Sequence, residues 1–290
     1  MAKTVDRLVE LIRETSSSLP EDVLKAIRSA MRKETRGKSA AVVLKTILDN
    51  CALAKKQSTP LCQDTGTLAF YVDESLKRKV TPAVIKRAVA IATERGYLRK
   101  NCIDSVTGKS YDDNCCDGAP VVHYVHEMKN EECRIKNCGR VTLLLKGGGS
   151  ENMSRQYSLP DASLGAGRDL EGVRKCVLDA VVKAQGFGCA PGILGVCIGG
   201  DRATAYEVAK EQLLRPLDAS EELRVKNEEL RKLEKRILKE ANELGIGPMG
   251  LGGRTTLLGV KIASRPRVPA SFFVTVAYMC WACRRRTISL

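Results

Sequence analysis

Apolar residues at Val5, Leu8, Val9, Leu11 and Ile12 recur near helical spacing and predict a helix over Val5–Glu14. Pro20, with Glu21 and Asp22 behind it, opens a second helix, because acids suit a helix N-terminus. A third runs from about Ala40 to Lys55. Leu68–Val72 then reads as a strand. Thr81–Arg95 reads as a helix with Thr81 as N-cap, Pro82 in the first position and Gly96 at its end. Residues 101–118 are polar and turn-rich and predict a loop. Strands follow at Val121–Met128 and Arg140–Lys146, joined through Asn130–Gly139, and Gly147–Gly149 breaks the second of them. The remaining pattern gives a helix over Leu170–Gln185, a strand over Gly192–Ile198 and helices over Ala203–Leu214 and Glu221–Leu244. The last helix is studded with opposite charges and reads as mainly solvated. Val260–Ile262 and Phe272–Met279 complete the strands, the latter rich in β-branched and aromatic residues. No internal repeat or long linker interrupts the pattern. The expected fold is one α+β domain over residues 1–290, a mixed sheet flanked by helices, with residues 1–57 as a helical region.

Composition adds three constraints. No apolar run reaches the roughly 18 residues of a membrane span. The first residues mix acids and bases without the apolar stretch of a secretory signal, so a cytoplasmic protein is expected. The formal charge of +14 would suit nucleic acid, but the basic residues are spread along the chain, densest at Arg284–Arg286. With aromatics at only 4%, a base-stacking surface is poorly supplied. A solvated basic face, an acidic partner subunit or an anionic substrate accounts for the charge instead.

Twelve cysteines in a chain read as cytoplasmic point to metal, cluster or redox chemistry rather than disulfides. The one C-x-x-C, Cys280 and Cys283, has no second pair to complete a zinc site. His123 and His126 fall on opposite faces of a predicted strand, which argues against a shared metal.

Four segments stand out, three of which combine cysteine or polar residues with glycines that admit a ligand close to the backbone. PLCQDTGT (60–67) places Cys62, Gln63 and Asp64 at a strand mouth, or is a polar turn with a buried thiol. KGGGSENMS (146–154) ends a strand on three glycines whose N–H groups can face an anion, or is a flexible turn. It is not a P-loop, and no G-x-G-x-x-G occurs. GFGCAPGILGVCIGG (186–200) holds Cys189 between a helix and a strand, and AYMCWACRRR (277–286) holds Cys280 after the last strand.

Together with GIGPMGLGGRTTLLGVKI (245–262) and PASFFVTVAYMCWACRRR (269–286), these motifs resemble the α subunit of class I fumarate hydratases and L(+)-tartrate dehydratases, the iron–sulfur hydro-lyases. The resemblance covers residues 60 to 286. It implies a [4Fe–4S] cluster held by Cys62, Cys189 and Cys280, with one iron left open as a Lewis acid. Cys283 is not implied as a ligand, since a fourth thiolate would close that position. The resemblance further implies reversible hydration of fumarate to (S)-malate, with L(+)-tartrate dehydration to oxaloacetate as the alternative. Gln63 and Asp64 are the implied catalytic residues, Asp64 handling a proton or orienting the base. Gly148, Gly149 and Arg99 are the implied substrate contacts, although Arg99 also reads as a solvated arginine at a helix end.

Two stretches depart from the family pattern. SYDDNCCDGAP (110–120) is longer and carries cysteines, with Lys109 standing where relatives carry arginine. SRPRV (264–268) lacks the histidine common before the PAS motif. A separate β subunit is implied, in an α2β2 heterotetramer acting on a small dicarboxylate, with no nucleic-acid or membrane partner. A zinc or redox-sensing binding module and a nucleic-acid-binding protein are the competing classes.

Overall fold

The computed structural model describes residues 2–126, 139–218 and 227–290. Three helices open the chain: α1 (Ala2–Ser17), α2 (Glu21–Lys33) and α3 (Ser39–Gln57). Next come β1 (Thr67–Asp73), α4 (Pro82–Glu94), the short pair β2 (Cys102–Ile103) and β3 (Ser110–Tyr111), β4 (Val121–Val125) and β5 (Arg140–Lys146). Then follow α5 (Gly148–Asn152), β6 (Arg155–Ser158), α6 (Leu170–Ala184), β7 (Gly192–Gly199) and α7 (Arg202–Gln212). The last elements are α8 (Glu228–Glu243), β8 (Leu257–Arg265), β9 (Phe273–Met279) and β10 (Arg284–Ser289). The fold is α+β, with an N-terminal helical region and mixed sheets.

Two compact units form. The first comprises Met1–Pro20, Asp49–Gly148 and Ala282–Leu290, the second Glu21–Leu48 and Gly149–Trp281. In the first, a four-stranded sheet runs β10-β5-β1-β4. β1 pairs parallel with β4 and antiparallel with β5, which pairs antiparallel with β10. A parallel pair needs a crossover, and α4 lies in it. Thr81 caps that helix, its side chain accepting from Val84 N. Leu8 and Ile12 of α1 and Ile85 of α4 join Phe70, Val72 and Leu143 of the sheet in one apolar core.

The second unit repeats the arrangement with other strands, in the order β6-β9-β7-β8. β7 pairs parallel with β8 and antiparallel with β9, which pairs antiparallel with β6. Here α7 and α8 lie in the crossover. Every residue of β7 is buried. Gly195 is required within it, because a Cβ there would lie 2.0 Å from the Ala209 carbonyl oxygen of α7. Val173, Val177, Leu194, Val196, Ile237 and Val276 share the core.

Several expectations change. The 101–118 loop contains the β2–β3 hairpin. Asp104 Oδ1 drives its turn by accepting from the N–H groups of Val106 (3.1 Å) and Thr107 (2.7 Å). The glycine break after β5 is a short helix, α5, followed by a strand, β6. Arg284–Arg286 is not a solvated run but the start of β10, with Arg284 and Arg285 buried. α8 keeps most of its residues at least partly exposed and buries one stripe, Leu230, Leu233, Ile237 and Ala241. Its expected start over 221–226, the end of the strand at 127–128 and most of the 130–139 connection lie outside the described residues.

Candidate functional site

Within the first unit, Cys62, Gln63 and Asp64 sit on the turn between α3 and β1. Leu61 anchors it: its N–H donates to Ser16 O (2.8 Å), and its carbonyl accepts from Asn50 Nδ2 (3.0 Å). Cys62 and Asp64 are half-buried, Gln63 exposed. Gly66 adopts φ +81°, and a Cβ there would lie 2.6 Å from the Lys146 backbone. Only glycine lets the turn pass so close to the end of β5. The Asp64 carboxylate lies against Gly147, where an added Cβ would stand 2.9 Å from Oδ2, and a Cβ on Gly148 would stand 3.8 Å from it.

Three further residues hold this turn. Arg284 Nη2 donates to Asp64 O at 2.9 Å. Buried Thr65 accepts through Oγ1 from Arg99 N (3.3 Å) and Asn101 Nδ2 (3.0 Å). Arg99, itself exposed, reaches Gln63 O with Nη1 at 3.5 Å. Arg99 is therefore tied to the Cys62 turn and leaves its charge at the surface. Lys109 lies exposed on the β2–β3 hairpin.

Within the second unit, Cys189 and Cys280 lie at adjoining strand ends. β9 ends at Met279, opposite Ile193 near the start of β7. Trp281 N donates to Cys189 O at 3.3 Å, so the residues around the two cysteines are bonded through backbone. Cys189 adopts φ +50°, its N–H bonded to Gly186 O at 3.0 Å. Tyr278 supports the turn from below. A Cβ on Gly188 or Gly192 would lie 2.4 or 2.6 Å from its ring, so both glycines are needed for that packing. Burial, then the charges of Cys280 and Cys189, push the Tyr278 phenol well above its ordinary range. Gly149, exposed at the start of α5, has open space where a Cβ would stand.

Taken singly, each of these cysteines is the kind of donor an iron–sulfur cluster takes. Cys62, Cys189 and Cys280 are half-buried thiols; close glycine packing shapes the turns of the first two, and the Cys280 segment is bonded to the Cys189 carbonyl through Trp281 N. Cysteines inside the cores behave differently. Burial pushes Cys176 up to about 12 and Cys197 up to about 11, so both keep their protons and act as small apolar side chains. Cys283 is fully buried and accepts from Arg285 Nη1 at 3.7 Å. Among the described residues no three His, Cys, Asp or Glu side chains converge to hold a single metal ion. The histidines are engaged separately: His123 stacks on Tyr71 at 4.9 Å, and His126 Nε2 meets Glu74 Oε2 at 2.7 Å. In the stretch lacking histidine, Arg267 packs over the Phe272 ring at 4.6 Å.

Sequence patterns missed Arg284, Thr65 and Tyr278. Arg284 left no local signal: RRRTIS shows no alternation, and its first two arginines are both buried. Tyr278 left one in the glycines at 188 and 192, which are readable only once their neighbour is known.

Residues 5–289 match the family described as fumarate hydratase (Fumerase). The chain is 48% identical over 290 residues to a protein of Geobacillus stearothermophilus provisionally named fumarate hydratase class I, covering 98% of this chain and 54% of that one. It is 34% identical to the provisionally named L(+)-tartrate dehydratase subunit alpha of Methanocaldococcus jannaschii, covering 98% of this chain and 96% of the relative. Against the L(+)-tartrate dehydratase subunit alpha of Escherichia coli K12 it is 29% identical, over 99% of this chain and 91% of that one. The chain belongs to the fumarate hydratase family. It spans about half the length of the Geobacillus protein and nearly the whole of the alpha subunits.

Proposed function

We propose that the chain is the α subunit of a [4Fe–4S] hydro-lyase, one functional domain that hydrates fumarate reversibly to (S)-malate. The observation that carries this reading is the thiol set. Cys62, Cys189 and Cys280 are half-buried and lie in the motifs that carry the family resemblance; Cys102, Cys115 and Cys116 are half-buried too but lie in the stretch that departs from the family pattern, and Cys51, Cys176, Cys197 and Cys283 are buried. Cys62, Cys189 and Cys280 would hold the cluster. When bound, it supplies an open iron that acts as a Lewis acid on the substrate hydroxyl.

The chain's own residues do the rest. Asp64, next but one to Cys62, is assigned to proton handling at the carbon beside the leaving hydroxyl, or to orienting the group that does so. Its carbonyl is fixed by Arg284, so the side chain starts from a rigid backbone. Gln63 lies next to it as a hydrogen-bonding side chain. Arg99 supplies a cation for one substrate carboxylate as negative charge develops on the neighbouring carbon. Gly148 and Gly149, bare of side chains and exposed, offer backbone N–H groups to the substrate.

A separate β subunit is proposed to complete the site in an α2β2 heterotetramer, because relatives spanned almost end to end are named as alpha subunits. The cytoplasm is the proposed location. L(+)-tartrate dehydration is the second reading, favoured by the same full-length match. Substrates differing by one hydroxyl are separated by few pocket contacts. Steady-state kinetics of the assembled complex test the choice. The account expects kcat/KM for malate to exceed that for L(+)-tartrate, and a larger value for tartrate would reverse it.

A further inference from the structure

The segment after α4 holds a second thiol constellation that the proposed cluster does not use. Cys102 on β2 and Cys116, beyond β3, bring their Sγ atoms to 3.2 Å, and no disulfide joins them. Both are half-buried. Cys115 faces other acceptors, the carbonyls of Lys86 and Asp113, each at 3.4 Å.

Fixed backbone holds the two sulfurs together. Cys102 pairs with Tyr111 across the hairpin. Cys116 N donates to Ala119 O at 3.0 Å, and Ala119 N donates back to Cys116 O at 3.3 Å. Between them Asn114, buried and left-handed at φ +58°, accepts through Oδ1 from Asn101 N (2.8 Å) and Cys102 N (3.0 Å). The pair therefore needs little chain movement to reach bonding distance.

We infer that Cys102 and Cys116 are a reversible disulfide site whose oxidation state is felt at Arg99. The oxidant is hydrogen peroxide. The two thiols give up two protons and two electrons, one S–S bond forms, the O–O bond breaks, and two waters leave. A dithiol reverses the step by exchange. Burial, then the bond to Cys116, pushes the Cys102 thiol up to about 11, so Cys102 rests protonated at neutral pH.

The path to the candidate site is a short chain of hydrogen bonds. Asn114 Nδ2 donates to Arg99 O at 2.8 Å, and Asn101 Nδ2 donates to Thr65 Oγ1 at 3.0 Å. Closing the 102–116 loop restrains Asn101, Asn114 and the Arg99 backbone together. A catalytic consequence of that restraint rests on the function proposed above; the disulfide itself does not.

Peptide mapping of the full chain tests the inference. Trypsin cleaves after Lys100 and Lys109, which puts Cys102 and Cys116 on different peptides. The chain is purified without oxygen, treated with hydrogen peroxide and alkylated in denaturant. A linked pair of peptides is expected, lost on adding dithiothreitol and in Cys102→Ser or Cys116→Ser, and kept in Cys115→Ser. Amide exchange over residues 99–104 is expected to slow by about tenfold on oxidation. A link that survives in Cys116→Ser, or Cys102 that stays fully alkylatable, overturns the site. A link without altered exchange overturns the coupling to Arg99. Neither readout needs a cluster or turnover, so failure here is distinct from failure of the hydro-lyase reading.

Discussion

Arg284 Nη2 donates to the backbone carbonyl of Asp64 at 2.9 Å, from a side chain only 1% exposed. A buried guanidinium carries a large desolvation cost, and replacing it by an apolar side chain is often close to neutral for stability. What is lost on replacement is the position of Asp64. Arg284→Leu is expected to shift the urea midpoint little and to lower kcat/KM by about 10²-fold, the scale of a misplacement near 1 Å. Arg284→Lys keeps the charge without the planar fork and is expected to restore only part of the activity. Full activity in Arg284→Leu would remove the residue from the account.

Gly192 faces the ring of Tyr278, where a Cβ would stand 2.6 Å away. That ring is buried and its position is fixed, so Gly192→Ala is expected to cost about 1–3 kcal/mol in chemical denaturation. Cluster content per folded chain should fall with it, because the turn carrying Cys189 must shift. Unchanged stability and iron content would show that the glycine is not needed for this packing.

Asn114 satisfies two backbone N–H groups and the Arg99 carbonyl from a buried position. Asn114→Ala strands those groups and is expected to lower stability by about 1–3 kcal/mol. Because Arg99 is assigned to substrate binding, KM should rise more than kcat falls. An unaltered KM in a folded variant would separate Arg99 from this network.

Alkaline pH should weaken the second unit. Burial pushes Cys176 up to about 12 and Cys197 to about 11, from an ordinary thiol value of 9.0. The unfolded chain therefore loses these protons first. Their contribution is complete below pH 9.0 and declines as pH rises through the folded values of about 11 to 12. Tyr157, also raised by burial and by its bond to Asp179, acts in the same direction. Urea midpoints measured from neutral pH into the alkaline range should fall, and less steeply in Cys176→Ala. A midpoint that rises with pH would contradict the sign.

Much of this fold was legible because its elements carry local signals. The Thr81–Pro82 start of α4, the apolar run of β7 and the stripe of α1 are set by residues close in sequence. β10 was not legible, since three arginines suggest solvent until a sheet edge and a carbonyl at Asp64 are available to receive them. The burial of one face of α8 was hidden by the charges on the other face. In the candidate site, Cys62, Cys189 and Cys280 stood out through their motifs. Their supports, Thr65, Asn114, Arg284 and Tyr278, act through contacts between residues distant in the chain, and no local pattern announces those.

The most direct test of the central claim is the iron and sulfide content of the anaerobically reconstituted chain, set beside Cys62→Ala, Cys189→Ala and Cys280→Ala. EPR of the reduced protein would be recorded in the presence of the partner subunit, with and without malate. The account predicts about four irons and four sulfides per chain, a spectrum shifted by malate, and cluster loss in each of the three variants but not in Cys176→Ala. Zinc in place of iron, or a full cluster in any of the three variants, would contradict it.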